Sequence, residues 1–188
     1  MSVSSSEFRP GDLLMLVDVQ VDFCPGGALP IEQGDEVVAV LNDWIRAARE
    51  AGIPIYASRD WHPRSHLSFK EQGGPWPTHC VQDTPGARLH PNLELPANVE
   101  ILTKGTRFDQ DQNSAFDQTG LAPWLKGRGI KRLFVGGLAL DVCVLATVLD
   151  ARAEGFEVVL LREGTRPVTQ EGGDQALEKM RRAGALVR

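Results

Sequence analysis

Apolar positions along the chain follow two periodicities that alternate from one end to the other. "DLLMLVDVQ", Asp12 to Gln20, is a near-continuous apolar run ending in polar residues, the pattern of a strand buried on both faces. "VVAVLNDWIRAARE" then places Val37, Leu41, Ile45 and Ala48 on one stripe, which predicts a helix from Asp35 to Ala51 with Gly52 as its stop. Four further strands are expected at Ile53–Asp60, Val99–Gly105, Lys131–Ala139 and Phe156–Gly164, and Leu186–Arg188 begins a final edge strand. Between them the pattern returns to helical spacing at Leu121–Gly129, from about Asp141 to Glu154, and at Gly173–Ala185.

Strands alternating with helices predict an α/β fold: one Rossmann-like, mostly parallel twisted sheet of about six strands, with helices on both faces. The 188 residues suit one domain with a full core, and no repeat, low-complexity segment or interdomain linker interrupts them. The opening "MSVSSSEFRPGD" has no apolar stretch of the signal-peptide kind, so residues 1–11 are expected to form a short flexible lead. The irregular stretch 61–98 is rich in Pro, Gly and His and exceeds the ~15 residues beyond which a loop in a compact domain is functional or disordered.

Composition narrows the choice of partner. The chain is 42% hydrophobic and 24% charged, with a formal charge of −5 and no basic stripe with interleaved aromatics, which argues against nucleic acid. No segment approaches the roughly 20 apolar residues of a membrane span. Three cysteines, Cys24, Cys80 and Cys143, include no CxxC pair and follow no export signal, so a reducing cytoplasm is expected. Exposed helices and a partly open sheet edge would permit a homo-oligomer.

In an open parallel sheet, ligands sit beyond the carboxyl ends of the strands. The predicted strand ends bring Asp18, Asp60, Lys104 and Cys143 to one edge. Cys143 would lie near a helix start, where unpaired N–H groups lower a thiol pKa and make it a nucleophile. Asp18 could then take its proton, with Lys104 orienting the acid and balancing charge. The plainer alternative makes Cys143 core, Asp18 a cap and Lys104 a surface residue. Asp60, His62, His66 and His79 offer one carboxylate and three imidazoles within the insert and its threshold, a mix that suits Zn²⁺, Mn²⁺ or Fe²⁺. Singly, each histidine reads as a surface or hydrogen-bonding residue. Cys80 follows His79 directly and is assigned with Cys24 to packing, and His90 to a structural role.

Five segments together resemble nicotinamidases, within the isochorismatase-like cysteine hydrolase superfamily. They are "LVDVQVDFCPGGAL", "SRDWHPRSHLSF", "WPTHCVQDTPGA", "TKGT" and "GLALDVCV", in that order over about Leu13 to Gly164. The resemblance implies hydrolysis of nicotinamide through a cysteine thioester, with Asp18, Lys104 and Cys143 as catalytic residues. It implies a divalent metal, zinc first, on Asp60, His62 and His79, with His66 ligating in some members and only lining the site in others. It implies that Phe23 and Trp76 sandwich the pyridine ring. It implies a non-proline cis peptide at Leu138–Ala139, aiming the Ala139 N–H, with that of Cys143, at an oxyanion. The chain departs from the family's usual residues at Val21, at Asn113 and at Val142. Two rivals remain: an amidase for another small amide, which Asn113 keeps open, and a metal-binding or thiol redox protein pairing Cys143 with Cys24.

Overall fold

A computed structural model of the chain describes residues 3–188. Six strands form one sheet: β1 (Asp12–Val17), β2 (Ile55–Asp60), β3 (Glu100–Lys104), β4 (Arg132–Leu138), β5 (Glu157–Arg166) and β6 (Leu186–Val187). Every pair is parallel and the order is β3-β2-β1-β4-β5-β6. The chain thus builds outwards from β1 in one direction, returns to β1's other flank at β4, and builds outwards again. The crevice between the ends of β1 and β4 is where such a sheet accepts a ligand.

Period-2 alternation explains why β1 is apolar from Leu13 to Val17. Leu14 and Leu16 join a core with Val37, Leu41 and Ile45 of α1 (Glu36–Glu50). Leu13, Met15 and Val17 face the other way, towards α2 (Leu121–Gly127), α3 (Leu145–Ala153) and α4 (Gln170–Arg182). Both faces are therefore covered, by one helix on one side and three on the other. No described helix is long and apolar enough to cross a membrane.

Two expectations need correction, and the lead gains detail. In the lead, Ser5–Glu7 form a 3-10 turn capped by Ser4, and Phe8 is buried edge-on against Phe134 and Trp44. One aromatic ring gives this short segment apolar area enough to dock. Residues 1–2 of that lead lie outside the described residues. The helix expected from Asp141 opens instead as a π-turn over Leu140–Val144, with Ala139 O accepting from both Val142 N–H and Val144 N–H. The last helix starts at Gln170, ahead of two glycines that the pattern treated as a boundary, because Thr169 caps its first turn.

The insert 61–98 has little regular structure, yet it is stitched to the rest. His62 bridges Val81, Phe69 bridges Trp76, and Gln20 bridges Leu89. Phe69 is fully buried beneath the histidine rings.

Candidate active site

Asp18 is the first residue past β1 and holds a left-handed conformation, φ 48°, with its N–H bonded to Ser58 O at 3.1 Å. Aspartate tolerates that region better than most side chains. The backbone turn aims its carboxylate across the strand ends instead of along β1. Asp60 and Lys104 close β2 and β3 and are register partners. Cys143 reaches the same place from the π-turn beyond β4.

These four side chains converge on one ammonium. Lys104 Nζ lies 2.6 Å from Asp60 Oδ1, 2.7 Å from Asp18 Oδ2, 3.2 Å from Gln112 O and 3.6 Å from Cys143 Sγ. The Asp18 contact is an ion pair that lacks hydrogen-bond directionality. Ser58 Oγ donates to the other Asp18 oxygen at 2.6 Å. Asp18, Asp60 and Cys143 could by themselves group around a cation, and the Lys104 ammonium already fills that place.

Burial opposes every charge here, so the partners decide each titration. Burial would discharge Lys104, but Asp18 and Asp60 outweigh it and hold the ammonium well above the usual lysine range. Burial raises Asp18 despite Lys104. Burial would also raise Asp60, yet Lys104 and His62 hold it well below the carboxylate range. For Cys143 burial dominates: it pushes the thiol well above its usual range, Lys104 pulls it down, and Asp18 and Asp60 push it up again. The lowered pKa expected from a helix start is therefore corrected. A dry pocket with two carboxylates against one ammonium keeps the proton on sulfur, beside an aspartate whose own proton affinity is raised.

A second group lies next to the first. One ligand atom from each of Asp60, His62 and His79 falls within 4.8 Å of the others, and all three residues are buried. His62 donates Nδ1–H to Gly105 O at 2.8 Å, and His79 donates Nδ1–H to Pro77 O at 2.7 Å, so both rings are anchored through Nδ1. The His62 Nε2 lies 3.6 Å from Asp60 Oδ2, and although burial would lower the His62 pKa, Asp60 outweighs it and raises it. Gly105 has φ +65°, and a Cβ there would sit 2.5 Å from the His62 ring, so only glycine allows this contact. Burial lowers the His79 pKa, favouring the neutral form a metal needs. The donor set, its burial and the fixed tautomers suit a divalent metal. His66 differs. It stacks on His62 at 4.0 Å, with Nδ1 on Ser68 Oγ and Nε2 on Gln110 O, so both its nitrogens are engaged by protein.

One pocket joins the two groups. Cys143, Ala139, His62, His79, Phe23 and Trp76 all line it. The Leu138–Ala139 peptide is cis, as the resemblance implies. Sequence reasoning missed Ser58, although it stands two residues before Asp60 on β2 and must share its face. It also missed the apolar lining residues Leu29, Pro30, Ile31 and Val168, for which an apolar loop residue gives no signal. Asn113 lines the pocket with Oδ1 3.8 Å from Cys143 Sγ, whereas Val21 lies outside the lining. All three cysteines are free; burial raises Cys24 to about 11 and Cys80 well above its usual value, as for packed thiols.

Comparison with known proteins places this arrangement. The isochorismatase domain matches residues 12–188, and the chain belongs to that family. It is 40% identical to the nicotinamidase of Escherichia coli (strain K12), over 95% of this chain and 94% of the relative. Among solved structures it is similar to the pyrazinamidase of Pyrococcus horikoshii in complex with zinc, at TM-score 0.92 and 46% identity, covering 95% of this chain and 99% of that one. An L. infantum structure in complex with nicotinate gives TM-score 0.87 and 38% identity, covering 100% and 95%.

Proposed function

We propose that this chain is an amidohydrolase that converts nicotinamide to nicotinate and ammonia, a step of NAD salvage. The observation that carries the reading is the Lys104 ammonium held between Asp18 and Asp60 within 3.6 Å of Cys143 Sγ, in a pocket that Phe23 and Trp76 also line. The relatives named nicotinamidase and the structure that holds nicotinate support the substrate. The three free thiols fit a reducing cytoplasm.

In this mechanism Phe23 and Trp76 hold the ring and present its carboxamide to Cys143. A divalent ion on Asp60, His62 and His79, zinc first and manganese or iron otherwise, would bind the pyridine nitrogen and so fix the ring's orientation. Asp18 takes the proton from Cys143 as sulfur bonds to the carboxamide carbon. The oxygen takes up negative charge, which the Ala139 and Cys143 N–H groups stabilise; each such donor lowers the barrier by about 3–4 kcal/mol. Asp18 then protonates the departing nitrogen, which already carries two hydrogens, and ammonia leaves as the carbon–nitrogen bond breaks. Water, deprotonated by Asp18, hydrolyses the thioester to nicotinate and restores the thiol. Throughout, Lys104 holds Asp18 in place and offsets its charge. His66, with both nitrogens engaged, supports His62 from behind.

Ammonia release from nicotinamide, measured before and after chelation, tests the reading. Loss on chelation and return with zinc are expected, and no release from the zinc-loaded protein would refute it. A second reading rests on Asn113, a polar side chain at the thiol: another small amide could be the substrate. A panel of nicotinamide, pyrazinamide and aliphatic amides separates the two by kcat/KM.

A further inference from the structure

The turn that carries Cys143 has a second anchor that the mechanism does not use. Asp141, two residues earlier, turns its carboxylate away from the pocket. Its Oδ1 accepts from Val168 N–H at 2.8 Å and its Oδ2 from Thr169 N–H at 3.3 Å. Both donors belong to the segment that leads into α4. The approach is close: a Cβ at Gly172, in α4's first turn, would sit 2.4 Å from Asp141 Oδ2. Val168 itself lines the pocket, although it is 41% exposed. One carboxylate therefore fastens the turn of Cys143 to a residue of the pocket lining.

We propose that Asp141 is a positioning residue, which holds Cys143 in line for attack by tying the π-turn to the start of α4. This rests on reading Cys143 as the nucleophile. Without the tie, Val142 N–H and Val144 N–H still bond to Ala139 O, so the turn keeps its root and loses its outer restraint. Val168 is one wall residue among many, so substrate binding suffers little. A nucleophile displaced by a fraction of an ångström suffers much more.

The test compares variants of the zinc-loaded protein. Asp141→Ala is expected to lower kcat for nicotinamide about 30-fold with KM within about threefold. Asp141→Asn keeps an acceptor for Val168 and should recover most of that loss. Met180→Ala, a fully buried position in the last part of α4 and away from the tie, is expected to lower thermal stability with kcat unchanged. A second readout needs no substrate: alkylation by iodoacetamide, located by peptide mass mapping. In Asp141→Ala, Cys143 should react about tenfold faster as its turn opens locally, with Cys24 and Cys80 still protected. Should wild type release no ammonia from nicotinamide, the substrate reading fails and the alkylation rates still judge Asp141. Met180→Ala matching the kcat loss of Asp141→Ala, or Cys143 alkylating at the wild-type rate in Asp141→Ala, would overturn the proposal.

Discussion

Asp18, Lys104 and Cys143 stand at or just past the ends of paired strands, whereas His62, His79 and Trp76 stand on a loop with almost no regular structure. The first group is fixed by ladder hydrogen bonds and by a core on each face of the sheet. The second is fixed residue by residue: a backbone carbonyl for each of the His62 and His79 rings, a bridge from His62 to Val81, and Phe69 buried beneath them. Strand ends suit the proposed proton-transfer group, which must stay rigid without any ligand. A loop suits a group whose last restraint is a metal, because metal binding itself orders the ligands. The two halves share one residue, Asp60, with one oxygen on Lys104 and the carboxylate near His62.

That contrast predicts which losses separate. Cys143→Ala removes the proposed attacking atom and leaves the proposed metal donors Asp60, His62 and His79 in place. Ammonia release should fall at least ~10⁴-fold, since without a nucleophile only binding and oxyanion donors remain. Metal content measured by atomic absorption should be unchanged. Near-normal turnover would end the covalent scheme, and metal loss would show that the halves are not separate. Asp18→Asn comes next, with an expected fall of about 10²–10⁴-fold in kcat, the range for a lost general acid–base. Its KM should hold, because Asp18 is fully buried and absent from the pocket lining. A raised KM with intact kcat would assign Asp18 to binding instead.

Legibility followed the same division. Helix and strand periods placed all six strands and four helices, and the rule that sites gather at strand ends brought Asp18, Asp60, Lys104 and Cys143 together. Periodicity could not show that Ser58 Oγ holds Asp18, because a serine on an apolar strand looks like any small buried residue. Nor could it set the protonation of Cys143, which depends on how dry the pocket is and on two carboxylates brought in from other strands. In the insert, residue types alone left His66 and His79 equivalent. The structure separates them by which ring nitrogens are already bonded. In the lead, the pattern gave no sign that Phe8 packs its ring against Phe134.

The loop half is tested by His79→Ala. Removing one of three donors should lower zinc affinity and reduce kcat/KM by about 10²-fold, near the upper end of what outer-sphere changes alone produce. Excess zinc should restore part of the rate, and the Cys143 alkylation rate should stay close to wild type. A variant that keeps its zinc would remove His79 from the ligand set. One whose thiol reactivity collapsed would show that the insert also shapes the strand-end group.

The smallest effect on rate is expected where the halves are sewn together. Gln20, fully buried just past β1, accepts from Asp60 N–H and donates to both Asp60 O and Ala87 O, each at 2.8 Å. One amide side chain thus clamps the end of β2 on both sides of Asp60 and holds the far part of the insert to it. Gln20→Leu fits the volume but leaves one N–H and two carbonyls without partners. A loss of about 3 kcal/mol is expected, at roughly 1–3 kcal/mol for each buried group left unpaired. For a chain of this size that is a fall in Tm of about 6–12 °C. Asp60 keeps its bond to Lys104, so kcat should stay within about fivefold, a change of ~1 kcal/mol in barrier. Thermal denaturation and steady-state rates on the same zinc-loaded sample read both quantities. If Tm holds while kcat falls by two orders of magnitude, Gln20 sets the geometry of Asp60 and belongs with the catalytic half. If Tm falls and kcat holds, each half keeps its own geometry and Gln20 only holds them side by side.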